Sequence, residues 1–511
     1  MNGAEHLLGE AALARHGARI AIIFGDERIA YAELARRAQQ AAGALAELGV
    51  SAGDRVLLLM RDTPALAAAW LGCLWHGAVA IALNSQLSED ELRFVRSDSG
   101  ARLALVEDVF ASAFPAFVTA LAQERRVAVS GRAPNGVPSW DEAARSATSA
   151  QACFRADPDD AAFWLYSSGT TGRPKGIIHT HKDLLPAGQV MRDVVRIEPG
   201  EKVLATSRLF FAYGLEHALL GVLAVGATSV LHTDWSDLAH VCALVAEHRP
   251  AAFFSVPSFY RRLLALGSDA LAPFAAVRHC FAAGERLPEA MVEQWRATVG
   301  HEILSIYGMS ETFSVAMVTP VGTSNGRRTG RLLPGVEARL VALEGHEAAV
   351  AEPGVLWLRH PALALGYANR KELTREQFRD GWFCTKDVFV RDAEGFYAHQ
   401  GRADELVKVA GQWVKPGELE EAVLGEPSIA EAVCVLVPDG DGFDRLALFI
   451  APTGDAQAAV AAAARACEAK LPRHKRPKWI RAAQDLPRTA TGKIQRFKLR
   501  EMLQRELQAR A

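Results

Sequence analysis

Short apolar runs alternate with amphipathic helical patterns up to about residue 340. Helical patterns over 31–48 and 89–98 place their apolar residues on one face. Runs that predict buried strands lie at 54–60, 77–84, 101–106, 161–166, 202–206, 225–232, 251–256, 277–282 and 302–306. Strands that alternate with helices in this way indicate βαβ units. We therefore predict an α/β fold in which two αβ-layered subdomains carry largely parallel sheets.

The pattern changes twice beyond this point. Over 329–400, glycines separate short strand-like runs, which predicts a smaller antiparallel β subdomain. From about residue 403 the chain alternates again, with strands at 405–409, 431–437 and 445–450 and helices at 416–424, 456–470 and from about 497. We predict a large N-terminal domain over 1–402, which includes the β subdomain, and a small α+β C-terminal domain over 403–511.

Composition and charge narrow the class of protein. The chain has 511 residues and a net charge of −2, so it has room for two or three domains and no basic field that would recruit nucleic acid. The first residues resemble no secretory signal, and no apolar run approaches the roughly 20 residues that cross a bilayer. The 7 cysteines are scattered without close pairs. We therefore expect a cytoplasmic protein without disulfides or cysteine-bound metal.

His179 and His181 form a tight histidine pair. A metal site needs at least a third ligand, and the sequence offers none nearby. We therefore expect both histidines to face solvent rather than a metal ion.

A cluster of hydroxyls, glycines and cations follows the apolar run at 161–166. Its residues are Ser167, Ser168, Gly169, Thr170, Thr171, Gly172, Arg173 and Lys175. Glycines let backbone N–H groups come close to an anion, hydroxyls donate to phosphate oxygens, and Lys175 adds a positive charge. The lysine lies between Pro174 and Gly176, unlike the lysine of a Walker A loop. The cluster predicts a phosphate-binding loop of another type, although such clusters are also common in surface turns.

Polar residues also follow two later predicted strands. They are Ala283-Gly284-Glu285 and Tyr307-Gly308-Met309-Ser310-Glu311-Thr312. In sheets of this kind, ligand-binding groups gather at strand ends. An aromatic ring such as Tyr307 can stack on adenine, and a carboxylate such as Glu311 suits Mg²⁺, which prefers oxygen ligands. By itself the pattern leaves the chemistry open, because a lone carboxylate such as Glu311 is more often simply solvated.

The segment 167–176 reads S-S-G-T-T-G-R-P-K-G and resembles the nucleotide loop of the adenylate-forming superfamily. This superfamily comprises acyl-CoA synthetases, peptide-synthetase adenylation domains and luciferases. Companion motifs resembling those of the superfamily follow in the same order, at 307–312, 381–387, 401–408 and 487–496. Two positions depart from the pattern: Ser310 replaces a threonine and keeps its hydroxyl, and Lys386 replaces a glycine.

The resemblance implies ATP, Mg²⁺ and coenzyme A as cofactors and gives roles to single residues. Asp387 and Arg402 would bind the ribose hydroxyls, and Asp404 would be the hinge of a mobile C-terminal domain. The residues implied in nucleotide binding are Ser167, Ser168, Gly169, Thr170, Thr171, Gly172, Gly284, Glu285, Tyr307, Gly308, Ser310, Asp387 and Arg402. Glu311 would hold the metal.

The reaction implied by the resemblance has two steps. A carboxylate attacks the α-phosphorus of ATP to give acyl-AMP and pyrophosphate, and the thiol of CoA then attacks the acyl-AMP. Lys493, Lys175 and Glu311 would be the catalytic residues of the first step. A cation beside the α-phosphoryl oxygens stabilises the transition state more than the ground state, and Lys493 matches that cation. The residues implied to line the CoA tunnel are Gly411, Gln412 and Trp413.

The acyl pocket points to an aromatic acid. The segment 210–214, Phe-Phe-Ala-Tyr-Gly, resembles the aryl-site segment of benzoate-type CoA ligases, and apolar and aromatic walls suit a benzene ring. The implied substrate-binding residues are Phe211, Ala212, Tyr213, Gly214, Ala283 and Ser314. Ser314 stands where benzoate ligases generally carry a histidine. Because serine is smaller and can hydrogen-bond, we expect room for an amino or hydroxyl substituent on the ring.

Other interpretations of the sequence stay open at this stage. One is a free-standing aryl-AMP ligase that loads the phosphopantetheine of a carrier protein instead of CoA. A second is a medium-chain acyl-CoA synthetase, and a third is a nucleotide- or acyl-binding protein without activity. Luciferase-like oxidation is disfavoured by Ala410 in the glycine turn. The sequence is compatible with an oligomer.

Overall fold

The computed structural model describes most of the chain and divides it into two compact units. The described residues are 1–147, 152–168, 173–234, 237–342, 344–403, 407–409, 412–414, 416–439, 444–488 and 494–510. The first unit comprises Met1–Arg339, Trp357–Cys384 and Arg391–Ala398. The second unit comprises Leu340–Leu356, Thr385–Val390 and His399–Ala511.

A nine-stranded sheet forms one layer of the first unit. Its strands, in the order in which they lie side by side, are Arg331–Leu332, Met317–Val318, Ile303–Tyr307, His279–Ala282, Ala252–Ser255, Lys202–Ala205, Thr228–Leu231, Ile20–Phe24 and Glu27–Ala30. The six strands between Ile303 and Phe24 in this order pair in parallel, and the outer strands pair antiparallel. This sheet therefore has the largely parallel pairing that the sequence predicts.

A seven-stranded sheet forms the second layer of the same unit. Its strands in order are Gly366–Tyr367, Pro174–Thr180, Ala161–Ser168, Val79–Ala82, Arg55–Leu59, Leu103–Glu107 and Val127–Ser130. The strand at Ala161–Ser168 pairs in parallel with one neighbour and antiparallel with the other, Pro174–Thr180. The sheet thus contains an antiparallel strand pair that the predicted phosphate-binding segment connects in sequence.

Helices connect these strands, and local sequence explains where they begin and end. The α-helices of the first unit are Gly3–Leu8, Glu10–His16, Tyr31–Glu47, Pro64–His76, Glu89–Ser99, Asp108–Ala113, Pro115–Gln123, Trp140–Ser146, Leu185–Gln189, Ala212–Leu215, Gly221–Ala224, Leu238–His248, Pro257–Leu264, Ser268–Leu271, Glu289–Val299 and Lys371–Gln377. Ser88 and Glu91 form a capping box at one helix start, and Gly100 ends that helix in the left-handed region. The 3₁₀ turns are His181–Leu184 and Ala272–Ala276, and the π-helical turns are Val190–Val194 and Glu216–Leu220.

The stretch over 329–400 contributes strands to more than one sheet. A five-stranded sheet contains Glu337–Val341, Gly354–Arg359, Trp382–Arg391, Phe378–Arg379 and Tyr397–Arg402. Arg331–Leu332 belongs instead to the nine-stranded sheet, and Gly366–Tyr367 belongs to the seven-stranded sheet. The strands Trp382–Arg391 and Tyr397–Arg402 pair with each other on either side of the turn at 392–395.

The second unit has a core of its own. The strands toward its C-terminal end are Val407–Val409, Gln412–Val414, Ile429–Pro438, Asp444–Pro452 and Trp479–Ala482, and its helices are Pro416–Leu424, Ala456–Lys470 and Arg496–Arg510, with a 3₁₀ turn at Arg473–Lys475. Leu448 and Ile450 of the central strand are fully buried against the first two of these helices. The unit is α+β, as the sequence predicts.

The predicted α/β class is confirmed. The division at residue 402 stays a prediction, since the chain passes between the two units several times before that point. Among the residues described, no helix has both the length and the apolar character needed to cross a lipid bilayer.

Candidate active site

The carboxyl ends of neighbouring parallel strands meet at one edge of the nine-stranded sheet. Ser255 pairs with Ala282, and Ala282 pairs with Ser305, so the segments that follow these strands start side by side. Ala283 and Gly284 lead out of one strand and Tyr307 ends the next. Gly284 has φ +84°, a conformation that favours glycine. The topology therefore gathers the predicted strand-end residues at one edge.

The predicted phosphate-binding loop joins the two strands of the hairpin. Ser167 pairs with Lys175 across the hairpin, and Ser168 pairs with Pro174. Gly169, Thr170, Thr171 and Gly172 lie outside the described residues, as does the side chain of Ser168. The Oγ atom of Ser167 is buried and has no hydrogen-bond partner among the described residues. A buried hydroxyl without a partner at this position is available to a phosphate oxygen.

Lys175, Glu311 and Tyr367 form a compact polar cluster. Lys175 Nζ donates to Glu311 Oε1 at 2.8 Å and to Tyr367 Oη at 3.0 Å, and Tyr367 Oη donates to Glu311 Oε1 at 2.8 Å. The Lys175 ammonium also lies 4.1 Å from the centroid of the Tyr367 ring. The lysine side chain is 19% exposed and the glutamate side chain is 8% exposed. The cluster thus presents a fixed positive charge beside a fixed carboxylate.

The charge state of Glu311 follows from this environment. Burial alone would raise the pKa of its carboxyl, but the Lys175 charge and the hydrogen bonds from Lys175 and Tyr367 together hold that pKa below its ordinary value. Glu311 is therefore ionised at neutral pH. An ionised, nearly buried carboxylate is a suitable ligand for a hard cation.

A buried histidine hydrogen-bonds to the turn that follows Tyr307. His179 Nε2 donates to the carbonyl oxygen of Ser310 at 2.8 Å, and His179 Nδ1 lies 3.0 Å from Asp183 Oδ2. His181 is also buried, and its Nδ1 accepts from the backbone N–H of Gly3. The expectation that this pair faces solvent is wrong, because its ring nitrogens serve as internal hydrogen-bonding groups. Among the described residues, no group of three side chains could hold a metal ion.

Three other predicted nucleotide residues lie near this turn or the neighbouring strand end. Glu285 accepts from the backbone N–H and the hydroxyl of Ser258, both at 3.0 Å. The backbone at Gly308 passes close to the backbone at Ser314. A Cβ atom on residue 308 would lie only 3.2 Å from the Ser314 carbonyl oxygen. Tyr307 is half-buried, with its Oη 4.0 Å from Met309 Sδ. Glu285 therefore has a structural partner in the first turn of a helix.

Two of the residues predicted to surround the acyl group, Tyr213 and Ala283, hydrogen-bond to the same carbonyl oxygen. The oxygen of Ser255 lies 3.3 Å from Tyr213 Oη and accepts from Ala283 N, also at 3.3 Å. Ala212 is buried, and the Phe211 ring packs on the Phe210 ring with the two centroids 4.5 Å apart. A Cβ at Gly214 would lie 2.1 Å from the backbone oxygen of Arg208, so only glycine fits there. The structure brings Phe211, Ala212, Tyr213, Gly214 and Ala283 together.

Ser314 joins this group through a residue that the sequence analysis missed. The Ser314 hydroxyl donates to Glu216 Oε1, and Val315 N donates to the same oxygen at 3.4 Å. Glu216 and Ser314 are each 1% exposed. A signal for Glu216 was present, because Glu216 and His217 are the polar residues in an otherwise apolar run over 215–225.

Burial sets the protonation of Glu216. It raises the pKa of this carboxyl from 4.5 to about 8, against the opposing effect of the hydrogen bonds from Ser314 and Val315. The adjacent residue His217 has its Nδ1 3.6 Å from Glu216 Oε2. The carboxyl is therefore neutral at pH 7, and folding favours its protonated form.

Replacing Glu216 with glutamine is expected to change how stability depends on pH. The folded-state pKa lies above the unfolded value, so the stabilisation is fully present below about pH 4.5 and is lost as pH rises through about 8. The wild type should lose roughly 3–5 kcal/mol over this window, and the neutral variant should not. Thermal unfolding midpoints from pH 5 to 9 test this. Parallel curves for the two proteins would contradict a neutral Glu216.

The predicted ribose residues belong to the second unit. Arg402 Nη1 donates to Asp387 Oδ1 at 3.1 Å, and His399 Nε2 lies 3.9 Å from the same oxygen. The backbone N–H of Asp387 donates to Thr385 Oγ1 at 3.0 Å, and this bond helps to fix the backbone at Asp387. Lys386 stands where the superfamily motif that 381–387 resembles has a glycine, and it has φ +60°. The strand continues through this left-handed residue, which explains why glycine suits the position.

Some predicted site residues lie outside the described residues. These are Lys493, the hinge residue Asp404 and the tunnel residue Gly411. Gln412 and Trp413 are described as backbone only. They lie in the strand Gln412–Val414, which pairs with Val407–Val409 in the register Lys408 to Trp413.

Comparisons with known proteins bear on what this arrangement does. The family described as AMP-binding enzyme matches residues 9–368, and the family described as AMP-binding enzyme C-terminal domain matches residues 418–493. A 3-hydroxybenzoate–CoA/4-hydroxybenzoate–CoA ligase of Thauera aromatica is 38% identical over 513 residues, which cover 99% of this chain and 98% of that protein. An anthranilate–CoA ligase of Pseudomonas aeruginosa is 34% identical, over 88% of this chain and 87% of that protein. The solved structure of a benzoate CoA ligase from Burkholderia xenovorans LB400 matches with a TM-score of 0.87 at 32% identity, over 98% of this chain and 100% of that one.

Proposed function

Because the chain belongs to the family of AMP-binding enzymes, we propose that it is an ATP-dependent aryl-CoA ligase whose substrate is a benzoate bearing a hydroxyl or amino group. The resemblance to the adenylate-forming superfamily is confirmed, with benzoate-type aryl-CoA ligases among the relatives. The enzyme is an AMP-forming acid–thiol ligase that uses ATP, CoA and Mg²⁺. The observation that carries the proposal is the match to a hydroxybenzoate–CoA ligase along nearly the whole of both chains.

In the first step the substrate carboxylate attacks the α-phosphorus of ATP and pyrophosphate leaves. No general base is needed, because a benzoate carboxyl is ionised at neutral pH. The work of the protein is to position the two anions and to neutralise charge. We assign Ser167 and Lys175 to the phosphates of ATP. The buried Ser167 hydroxyl has no partner among the described residues, and Glu311 holds the Lys175 charge in place.

The donor set around Glu311 fits Mg²⁺ bound together with a nucleotide. Mg²⁺ is commonly held by one or two carboxylates, several waters and substrate phosphates rather than by a cage of protein ligands. Glu311 supplies an ionised carboxylate beside Lys175, and the absence of a three-ligand cluster among the described residues agrees with this mode. When bound, the metal would neutralise phosphate charge. Lys175 keeps Glu311 ionised and oriented at this position.

The second step transfers the acyl group from AMP to the thiol of CoA. We assign Lys493 to the first step and the segment of Gly411, Gln412 and Trp413 to the thiol path, on the basis of their matches to the family motifs. Asp404 is the proposed hinge about which the C-terminal domain would turn between the first step and the second. Asp387 and Arg402 are assigned to the ribose, and their ion pair keeps one carboxylate oxygen in a fixed position.

The ring substituent is assigned from the acyl-site residues. Ser314 is buried, and its hydroxyl donates to Glu216 rather than closing the site with a bulky side chain. This arrangement supports a substrate that carries a small polar group. The test is competition among benzoate, 2-aminobenzoate and the three hydroxybenzoates at equal concentrations with ATP and CoA. A substituted benzoyl-CoA should be the main product, and benzoyl-CoA as the main product would contradict the assignment.

A further inference from the structure

The residues that follow the acyl-site segment form a π-helical turn. This turn, Glu216–Leu220, lies between the short helices Ala212–Leu215 and Gly221–Ala224. Turns of this kind are rare and are frequently found at functional sites, because they redirect side chains within a helix. The first two side chains of the turn belong to Glu216 and His217, and both are buried.

His217 has a defined tautomer. Its Nδ1 lies 2.9 Å from the carbonyl oxygen of Tyr213, which can only accept, so the proton is on Nδ1. Burial lowers the pKa of His217 to about 4, and the ring is therefore neutral at pH 7. Nε2 of this neutral ring is a hydrogen-bond acceptor. It is buried and has no partner among the described residues. Buried polar atoms normally have a partner, so this acceptor lacks a donor.

The surroundings of His217 connect it to the acyl-site residues. Its ring packs on the rings of Tyr213 and Phe254, with centroid-to-centroid distances of 5.0 Å and 4.4 Å. Tyr213 reaches the Ser255 carbonyl that also binds Ala283, and the adjacent residue Glu216 binds Ser314. His217 is thus a neutral acceptor within the same group of residues to which we assign the aromatic ring.

We propose that His217 Nε2 accepts a hydrogen bond from the hydroxyl or amino group on the substrate ring, and that His217 is a specificity-determining residue. This inference rests on the proposed function. A ring substituent that donates would satisfy Nε2, whereas plain benzoate or a methyl-substituted benzoate would leave it unpaired. Sites built to bind a polar substrate group reject analogues that lack it. The expected discrimination is about 10- to 100-fold in kcat/KM.

The first test uses the wild-type enzyme and pairs of substrates with similar bulk. Each hydroxybenzoate is compared with the methylbenzoate of the same ring position, and kcat/KM for CoA-dependent AMP formation is measured for both. At one position the hydroxyl compound should exceed the methyl compound by about 10-fold or more. Equal values at every position would overturn the inference. If no aryl acid is turned over, the proposed function fails and this inference fails with it.

The second test uses variants of His217. His217→Phe removes the acceptor, and the ratio of kcat/KM for the preferred hydroxybenzoate over benzoate should fall about 10- to 100-fold, mainly through a higher KM for the hydroxybenzoate. His217→Gln retains an acceptor oxygen and should keep most of the ratio. His232, a buried histidine outside the acyl-site group, also has a ring nitrogen without a partner in the described part of the chain. His232→Phe is therefore the matched control and should leave the ratio unchanged. An active His217→Phe enzyme with the wild-type ratio would overturn the inference.

Discussion

Replacing Lys493 with alanine is expected to slow acyl-AMP formation by about a thousandfold, since a single preorganised charge or donor at a developing negative charge contributes roughly this much. The residue matches the cation that meets the α-phosphoryl oxygens in the first step. Transfer of the acyl group from supplied acyl-AMP to CoA needs no such cation. It should therefore stay within about threefold of the wild-type rate, because the loss is confined to the first transition state.

Two assays on the same variant separate these steps. Pyrophosphate release reports acyl-AMP formation, and thioester formation from synthetic benzoyl-AMP reports the transfer. Lys498→Ala is a suitable control, because Lys498 is an exposed lysine near the start of the C-terminal helix. Equal losses in both half-reactions would contradict a role confined to the first step.

Replacing Glu311 with glutamine is expected to lower the rate of acyl-AMP formation by about 100- to 1000-fold. The substitution keeps the shape of the side chain but removes its negative charge. That charge binds Lys175, whose Nζ lies 2.8 Å from Glu311 Oε1, and it also suits Mg²⁺. The Mg²⁺ concentration for half-maximal rate should rise, whereas the KM for the aromatic acid should change little. Pyrophosphate release at a series of Mg²⁺ concentrations measures both effects.

The control for Glu311 is another ion-paired glutamate in the same unit. Glu201 pairs with Arg278 at 2.7 Å and holds no predicted site residue. Glu201→Gln should leave the rate and its Mg²⁺ dependence unchanged. A Glu311→Gln enzyme that is folded, as judged by its thermal midpoint, and shows a normal Mg²⁺ dependence would rule out this residue as the metal ligand.

The fold was largely predictable because its signals are local. The predicted strand over 161–166 and the helix over 456–470 coincide with Ala161–Ser168 and Ala456–Lys470, since apolar periodicity and capping residues act over a few positions. The pairing of Gly366–Tyr367 with the hairpin strand Pro174–Thr180 joins parts of the chain almost two hundred residues apart. Such pairing has no local signature, so the sequence assigned that strand to a separate β subdomain.

The same contrast holds for the candidate site. The phosphate-binding segment and Glu311 were predicted because a motif and a strand end mark them. Tyr367 was missed, since its role depends on meeting Lys175 across 192 residues. Glu216 meets Ser314 across 98 residues, and its neutral state arises from burial that no short segment determines. The burial of His179 likewise depends on packing between distant segments.

The measurement that tests the central claim most directly is CoA-dependent AMP formation with a panel of acids: benzoate, 2-aminobenzoate, the hydroxybenzoates and hexanoate. We predict AMP and an aryl-CoA in equal amounts from at least one substituted benzoate, and no product from hexanoate. Turnover of hexanoate alone would contradict the aromatic site while leaving the adenylation chemistry intact. AMP formation that requires a holo-carrier protein instead of CoA would contradict the assignment of CoA as the acceptor.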